Sequence, residues 1–427
     1  MTGAQFTLLG LALVVGLVVR RGIADYRVPL STSYAKDLRS FRSNWSKLRV
    51  VLAAFLFISA PVGFSWIGLG RAHLPNKFVP GLPLSNFWLQ VLCFAGIYAI
   101  GALGLNLLIG YTGQISLAQA FFIGVGAYSI GYFGKDLTLF GDKPFPFPVW
   151  LTIAVLMGAA LSALIGPFAL RLRGQYLAVV SIGLVVAGEW LFADVFTWIT
   201  DGLQGRSDMP AAALTIWPGK TMSFSVIDAP NGDADFFGYT FSKDAAYFWL
   251  IWAFVGVCLL IAANLIRSRH GRAMMAVRDR DLSAEIIGVK QAYTKVWAFA
   301  LCGGMAALAG ALYSSYFSFV QPISFNNAYS IQFVAMIIVG GVGTLPGSVL
   351  GAIAIALIER LLERYDWIVS WIPVLQTDPA GSGMTLPRFI KILFGVLIIT
   401  FLMFFPRGLN GLWEKLKHYF RTWPFST

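Results

Sequence analysis

Residues 87–110 read FWLQVLCFAGIYAIGALGLNLLIG, and residues 111–128 continue YTGQISLAQAFFIGVGAY. The first run holds no Asp, Glu, Lys or Arg and exceeds the ~20 apolar residues that a helix needs to cross a bilayer. Gly110 and Gly113 interrupt it, Gln114, Ser116 and Gln119 follow at once, and a second apolar run is expected over 114–133. Continuous runs of this kind point to helices, because lipid leaves no partner for free backbone groups and a barrel strand would alternate instead.

The rest of the 427-residue chain follows suit. It is 57% hydrophobic and 12% charged, against roughly 25% charged residues in an ordinary soluble domain. Eleven candidate spans are expected: about 3–19, 50–70, 87–109, 114–133, 150–170, 174–199, 246–266, 295–319, 330–343, 347–362 and 389–405. The fold class is therefore an all-α membrane protein, a polytopic helical bundle of about 11 transmembrane helices with some broken or short. The first run has no basic residue before it and no small-residue cleavage site, so it is expected to be a retained span.

The net charge of +12 could suggest nucleic acid. The basic residues cluster in loops beside apolar runs instead, which sets membrane orientation and calls for no nucleic acid partner. Placing 20–49, 171–173, 267–295 and 406–427 inside puts 21 Lys and Arg there, against 9 in the outside segments. The N-terminus is then outside and the C-terminus inside. The expected organisation is an N-terminal extension over 1–86 with two spans and a basic cytoplasmic segment, a core over 87–412, and a basic tail over 413–427. A charged cytoplasmic loop lies within the core at 267–295.

Several places can carry function. The break at 110–119 reads either as a tight turn with helix-packing residues or as the wall of a polar path made by Gly113, Gln114, Ser116 and Gln119, since uncompensated polar groups are costly in hydrocarbon. A second break, GGVGTLPG at 340–347, carries Gly341, Gly343, Pro346 and Gly347. It reads as a hairpin, or as the counterpart of the first break on a transport pathway. Glu189 is taken as the deepest carboxylate in a predicted span, able to line a path, bind a proton, or make a structural hydrogen bond. Asn106 is a weaker case. Within 267–295, residues 272–287 are expected to form one short amphipathic helix that lies on the membrane or in a partner's groove.

Other chemistry finds no support. Cys93, Cys258 and Cys302 lie in apolar runs without a pairing pattern. His73, His270 and His418 are scattered, so no metal or cofactor is expected. Gly219-Lys220-Thr221 resembles the end of a phosphate loop, but Leu214 stands where its first glycine should be. No catalytic residue is expected.

The segments GYTGQISLAQAFFIGVGAY (110–128), LRLRGQYLAVVSIGLVVAGEW (170–190), SRHGRAMMAVRDRDLSAEIIGV (268–289), SIQFVAMIIVGGVGTLPGSVLGA (330–352) and FFPRGLNGL (404–412) occur in the order and spacing of one family. Together they resemble the LivM-type permeases of branched-chain amino-acid ABC importers. The resemblance implies a bacterial inner-membrane subunit surrounded by membrane lipid. It also implies a homologous second permease (LivH-like), two cytoplasmic ATP-binding subunits and a periplasmic solute-binding protein. Loop 267–295 then looks like the ATPase-coupling segment, with Arg272, Arg278, Asp279, Glu285 and Gly288 as its expected residues. Its Ala284-Glu285-Ile286-Ile287-Gly288 departs from the glutamate–glycine motif of other importers. Gln204-Gly205-Arg206 also departs from the commoner pattern of the family's outer turn, which leaves urea or short-amide import as an alternative. A stand-alone proton-coupled transporter is the other alternative; it would need a carboxylate relay.

Overall fold

Helices form wherever the apolar runs continue, and they stop where glycine or a charged loop interrupts them. In the computed structural model these helices are α1 Asn86–Asn106, α2 Gln119–Gly131, α3 Phe147–Arg171, α4 Gln175–Trp190 and α5 Lys243–Arg267. They continue with α6 Arg269–Asp279, α7 Asp281–Ile286, α8 Gln291–Phe317, α9 Asn327–Gly340, α10 Leu345–Arg364 and α11 Leu386–Phe404. The structure describes residues 86–136, 145–171, 175–207, 209–217, 220–223, 234–236, 239–241, 243–364, 375–376, 384–405 and 408–412. The first two expected spans, the basic segment 20–49 and the tail 413–427 lie outside the described residues. Gln90–Leu412 forms one compact unit.

Six helices among the described residues are long and apolar enough to cross a membrane, and Asn327–Gly340 and Ile392–Phe401 are shorter apolar helices. The protein is thus an all-α polytopic membrane protein. The run expected over 114–133 shortens to α2, because the backbone stays non-helical over 113–118. All thirteen residues of α2 are buried, so it is the hub of the bundle.

Small residues let the other helices close on that hub. A Cβ on Gly126 would overlap the Ala307 backbone, and one on Gly310 would overlap the Ile123 carbonyl. The Ser314 hydroxyl of α8 donates to the Ala127 carbonyl at 3.1 Å. On the other side of α8, Gly303 meets Gly158 and Ser162 of α3, and the Ser162 hydroxyl donates to the Phe299 carbonyl at 2.6 Å. Helices in lipid have little hydrophobic drive to associate, so close backbone approach and interhelical hydrogen bonds hold them. The outer faces carry large apolar side chains: Leu164, Val179, Leu260 and Met403 are each 66% or more exposed. Such a surface suits lipid tails or a membrane partner and not water.

The segment 330–362 forms two helices. Gly341 at φ +118° and Gly343 at φ +79° make the turn that non-glycine residues resist. α9 and α10 then return antiparallel, with Gly340 packed on Gly347 and Gly351 on Met336. Pro346 sits in the first turn of α10, where its missing N–H costs nothing.

The connection from α4 to α5 holds strands that helical periodicity gave no hint of. β1 (Arg206–Ser207) is followed by β2 (Ala213–Trp217), β3 (Lys220–Ser223), β4 (Ala234–Phe236) and β5 (Tyr239–Phe241). The last four form an antiparallel sheet in that order. β6 (Phe319–Val320), after α8, pairs antiparallel with β1, and β7 (Leu375–Gln376) pairs in parallel with β8 (Met384–Thr385).

Candidate functional site

The charged loop is built as two helices, not the single helix expected over 272–287. The reason is local: Arg280 is extended at φ −156°, ψ 109°, and Asp281 opens a new helix with its carboxylate in the first turn, where the helix dipole favours it. Ser268 caps α6 by accepting from the Gly271 N–H. Met274, Val277 and Ala284 are buried. The Lys295 ammonium, on α8, pairs with Asp281 at 3.0 Å. The Gln291 amide donates to the Asp281 carbonyl at 2.6 Å and to the Glu285 carboxylate at 3.3 Å. Gly288, at φ +91°, makes the turn into α8. The segment is therefore a braced elbow. Its tip exposes Leu282, Ile286 and Ile287, which are 69%, 86% and 80% exposed. Arg272, Asp279 and Glu285 are exposed beside them.

Arg278 takes a different place from these neighbours. Its guanidinium donates to the Gly110 carbonyl at 2.5 Å. A Cβ on Gly113, which has φ +71°, would come within 3.3 Å of Arg278 Cγ. The second break closes on the same point. Asn106, fully buried, donates from its side-chain amide to the Thr344 carbonyl at 3.0 Å and accepts from the Gly343 N–H at 2.8 Å. Gly408, at φ +60°, packs against Gly340 and Gly341. The breaks 110–113 and 341–344 and the charged elbow thus meet at one end of the bundle. The backbone groups that Asn106 and Arg278 hold are not open to a solute, because these side chains already satisfy them.

The polar residues after the first break divide in two. Gln119 is committed to packing: its amide donates to the Gly101 carbonyl at 2.9 Å and accepts from the Cys302 thiol at 3.4 Å, so it ties α1 and α8 to α2. The buried start of α2 is served by hydroxyls. Ser181 accepts from the Leu117 N–H at 2.7 Å, Ser116 from Ala118 at 3.4 Å and Ser330 from Ala120 at 3.0 Å. Gln114 differs from both cases. It is 8% exposed, and neither its amide oxygen nor its nitrogen has a hydrogen-bond partner.

Glu189 sits half-buried on α4 beside exposed Trp190 and makes no hydrogen bond among the described residues. A second carboxylate, Glu359 on α10, is hydrogen-bonded across helices. Glu359 accepts from the Gln332 amide at 2.9 Å and from the Tyr98 hydroxyl at 3.3 Å. It lies near the C-terminal end of the span expected over 347–362, and the sequence reading did not single it out. Tertiary packing brings Tyr98 of α1 and Gln332 of α9 to it.

At the end opposite the elbow, Asp201 at φ +58° and Gly202 and Gly205, also at positive φ, shape the turn before β1. Arg206 is 5% exposed; it pairs with Asp136 and donates to the Ile199 carbonyl at 2.8 Å. Its departure from the familiar pattern is answered by an internal ion pair.

Comparison with known proteins agrees with this architecture. Residues 87–402 match the family model described as branched-chain amino acid transport system / permease component. The high-affinity branched-chain amino acid transport system permease protein LivM of Escherichia coli K12 is 31% identical over 280 residues, 63% of this chain and 62% of that protein. The chain thus spans somewhat less than two thirds of that relative's length. The probable branched-chain amino acid transport permease protein LivM of Methanocaldococcus jannaschii is 22% identical over 348 residues, 75% of this chain and 92% of that protein. The autoinducer 2 import system permease protein LsrC of Salmonella paratyphi B is 32% identical over 117 residues, 26% of this chain and 34% of that protein. No solved structure matches. With its breaks, elbow and buried hub all inside the matched residues, the chain belongs to the family of branched-chain amino acid transport system permease components.

Proposed function

We propose that this protein is the membrane-spanning permease subunit of an ATP-driven importer for branched-chain amino acids in a bacterial inner membrane. It works with a homologous second permease, two cytoplasmic ATP-binding subunits and a periplasmic solute-binding protein. The observation that carries this reading is the link from the elbow to both helix breaks. The apolar tip Leu282, Ile286 and Ile287 suits a groove on a soluble partner. Arg278 ties that same element to Gly110, beside the Asn106 anchor at Gly343. A push on the tip therefore reaches α1, α9 and α10 through fixed hydrogen bonds. Such an element lets ATP turnover elsewhere bias an inward-open and an outward-open state. Positive charge in the elbow supports a cytoplasmic position for that end.

Gln114, Ser116 and Glu189 are the proposed polar points of the path. Glu189 lies on a half-exposed helix face, where a second permease can complete the wall. The test is mild-detergent purification of the tagged chain from its host, with mass spectrometry of its partners and uptake of leucine and of urea by the reconstituted complex. A stoichiometric ATPase, a second permease and leucine uptake are expected. A stable particle without an ATPase, or uptake of urea in place of leucine, overturns the assembly or the substrate respectively.

A further inference from the structure

The described residues line a partly open cavity of about 240 Å³ between α1, α8, α9 and α10, at the end of the bundle away from the elbow. Its walls are mainly aromatic, with Tyr98, Tyr313, Phe325 and Tyr329 among them, and two charged groups, Glu359 and Arg360, line it as well. Both protein donors to Glu359 use Oε2, at 2.9 Å from Gln332 and 3.3 Å from Tyr98. Oε1 accepts from no described residue. The Arg360 guanidinium lies 3.6 Å from the centroid of the Phe94 ring, and its Nη1 pairs with Glu363 at 2.9 Å. That leaves further N–H groups of the fork without a partner among the described residues. One carboxyl group and one guanidinium, on consecutive residues, thus share an aromatic cavity with bonding capacity to spare.

We propose that this cavity is a binding site for the zwitterionic head of an apolar α-amino acid, with Glu359 taking the ammonium group and Arg360 the carboxylate. A neutral amide would offer the free Glu359 oxygen no charged donor, and hydrogen bonds to charged groups are the stronger ones. A simple cation would be repelled by Arg360, and a simple anion by Glu359. Only a ligand carrying both charges satisfies the two groups together. The aromatic faces add a favourable surface for the ammonium and an apolar one for a branched side chain. The volume is below the roughly 300–1,000 Å³ of drug-sized pockets, which fits a single small solute. This site is distinct from the path residues near the first break, and it rests on the amino-acid reading given above.

The experiment uses the assembled importer in proteoliposomes supplied with leucine-loaded binding protein. Glu359→Gln keeps an acceptor oxygen for Tyr98 and Gln332 and removes only the charge. Leucine uptake is expected to fall at least tenfold while the complex still co-purifies, with partial return in Glu359→Asp. Binding of radiolabelled leucine to the complex should fall in parallel. Undiminished uptake and binding in Glu359→Gln overturns the proposal and leaves the importer reading standing. Absence of leucine uptake by the wild-type complex overturns the importer reading, and this site with it. If Glu359→Gln does not assemble, Arg360→Gln carries the test, and undiminished leucine binding there overturns the proposal.

Discussion

The side-chain amide of Asn106 holds two consecutive residues of a distant turn: it accepts from the Gly343 N–H at 2.8 Å and donates to the Thr344 carbonyl at 3.0 Å. One neutral side chain thereby does for the α9–α10 turn what solvent would do in a soluble protein. It also fixes the end of α1 to that turn at the point where Arg278 arrives from the elbow.

Asn106→Leu should therefore destabilise the fold. A buried backbone group left without a partner costs about 1–3 kcal/mol; this change orphans the Gly343 N–H, while the Thr344 carbonyl keeps the Ser348 N–H at 3.2 Å. The expected result is a clearly lowered melting temperature of the detergent-purified protein, with poor assembly. A melting temperature equal to that of the wild type would mean that another group had taken over the Gly343 N–H.

Arg278→Gln is expected to separate assembly from work. The exposed tip is unchanged, so an ATPase should still co-purify, while leucine uptake by the reconstituted complex falls about tenfold. Arg278→Lys should restore little, because a compact ammonium does not reproduce the reach and fork of a guanidinium. Loss of ATPase co-purification in Arg278→Gln would instead make this residue a docking contact.

The apolar tip gives the converse expectation. Charges at Ile286 and Ile287, which are 86% and 80% exposed, should leave the melting temperature of the isolated permease within experimental error. Their local fold does not depend on those side chains. Ile286→Asp with Ile287→Asp should abolish co-purification of an ATPase. Retained stoichiometric ATPase would place the docking surface elsewhere.

Gln114 should show a conflict between stability and function. A buried amide with no partner costs about 1–3 kcal/mol, so Gln114→Leu is expected to raise the melting temperature. If the amide serves a passing solute, the same variant loses most of its uptake. Higher stability with full uptake would leave Gln114 without a role in transport.

How much of this was legible beforehand depends on the residue. The apolar runs alone gave the helices, because a stretch such as 87–110 has only one way to satisfy its backbone in lipid. The glycine breaks at 110–113 and 341–347 were visible for the same reason: they interrupt otherwise continuous runs. What each break faces was not visible. Asn106 meets Gly343 across 237 residues and Arg278 meets Gly110 across 168, and no local periodicity encodes contacts at that range. The strands between α4 and α5 were missed because they are short and lie in a segment without a strong alternating pattern.

The carboxylates show the same division. Position along a run made Glu189 look deep, and Glu359 was not singled out. Burial in a bundle depends on which neighbours surround a side chain as well as on depth along the helix axis, and Tyr98 and Gln332 come from two other helices. The sequence by itself determined a helical membrane protein with two breaks and one charged elbow, because hydrocarbon imposes helix and excludes charge. Only the tertiary structure decided that the breaks and the elbow form one knot, that α2 is the buried hub, and that Glu359 shares a chamber with Arg360. Those outcomes follow from side-chain contacts between helices distant in sequence, where the energy lies in close packing and paired polar groups.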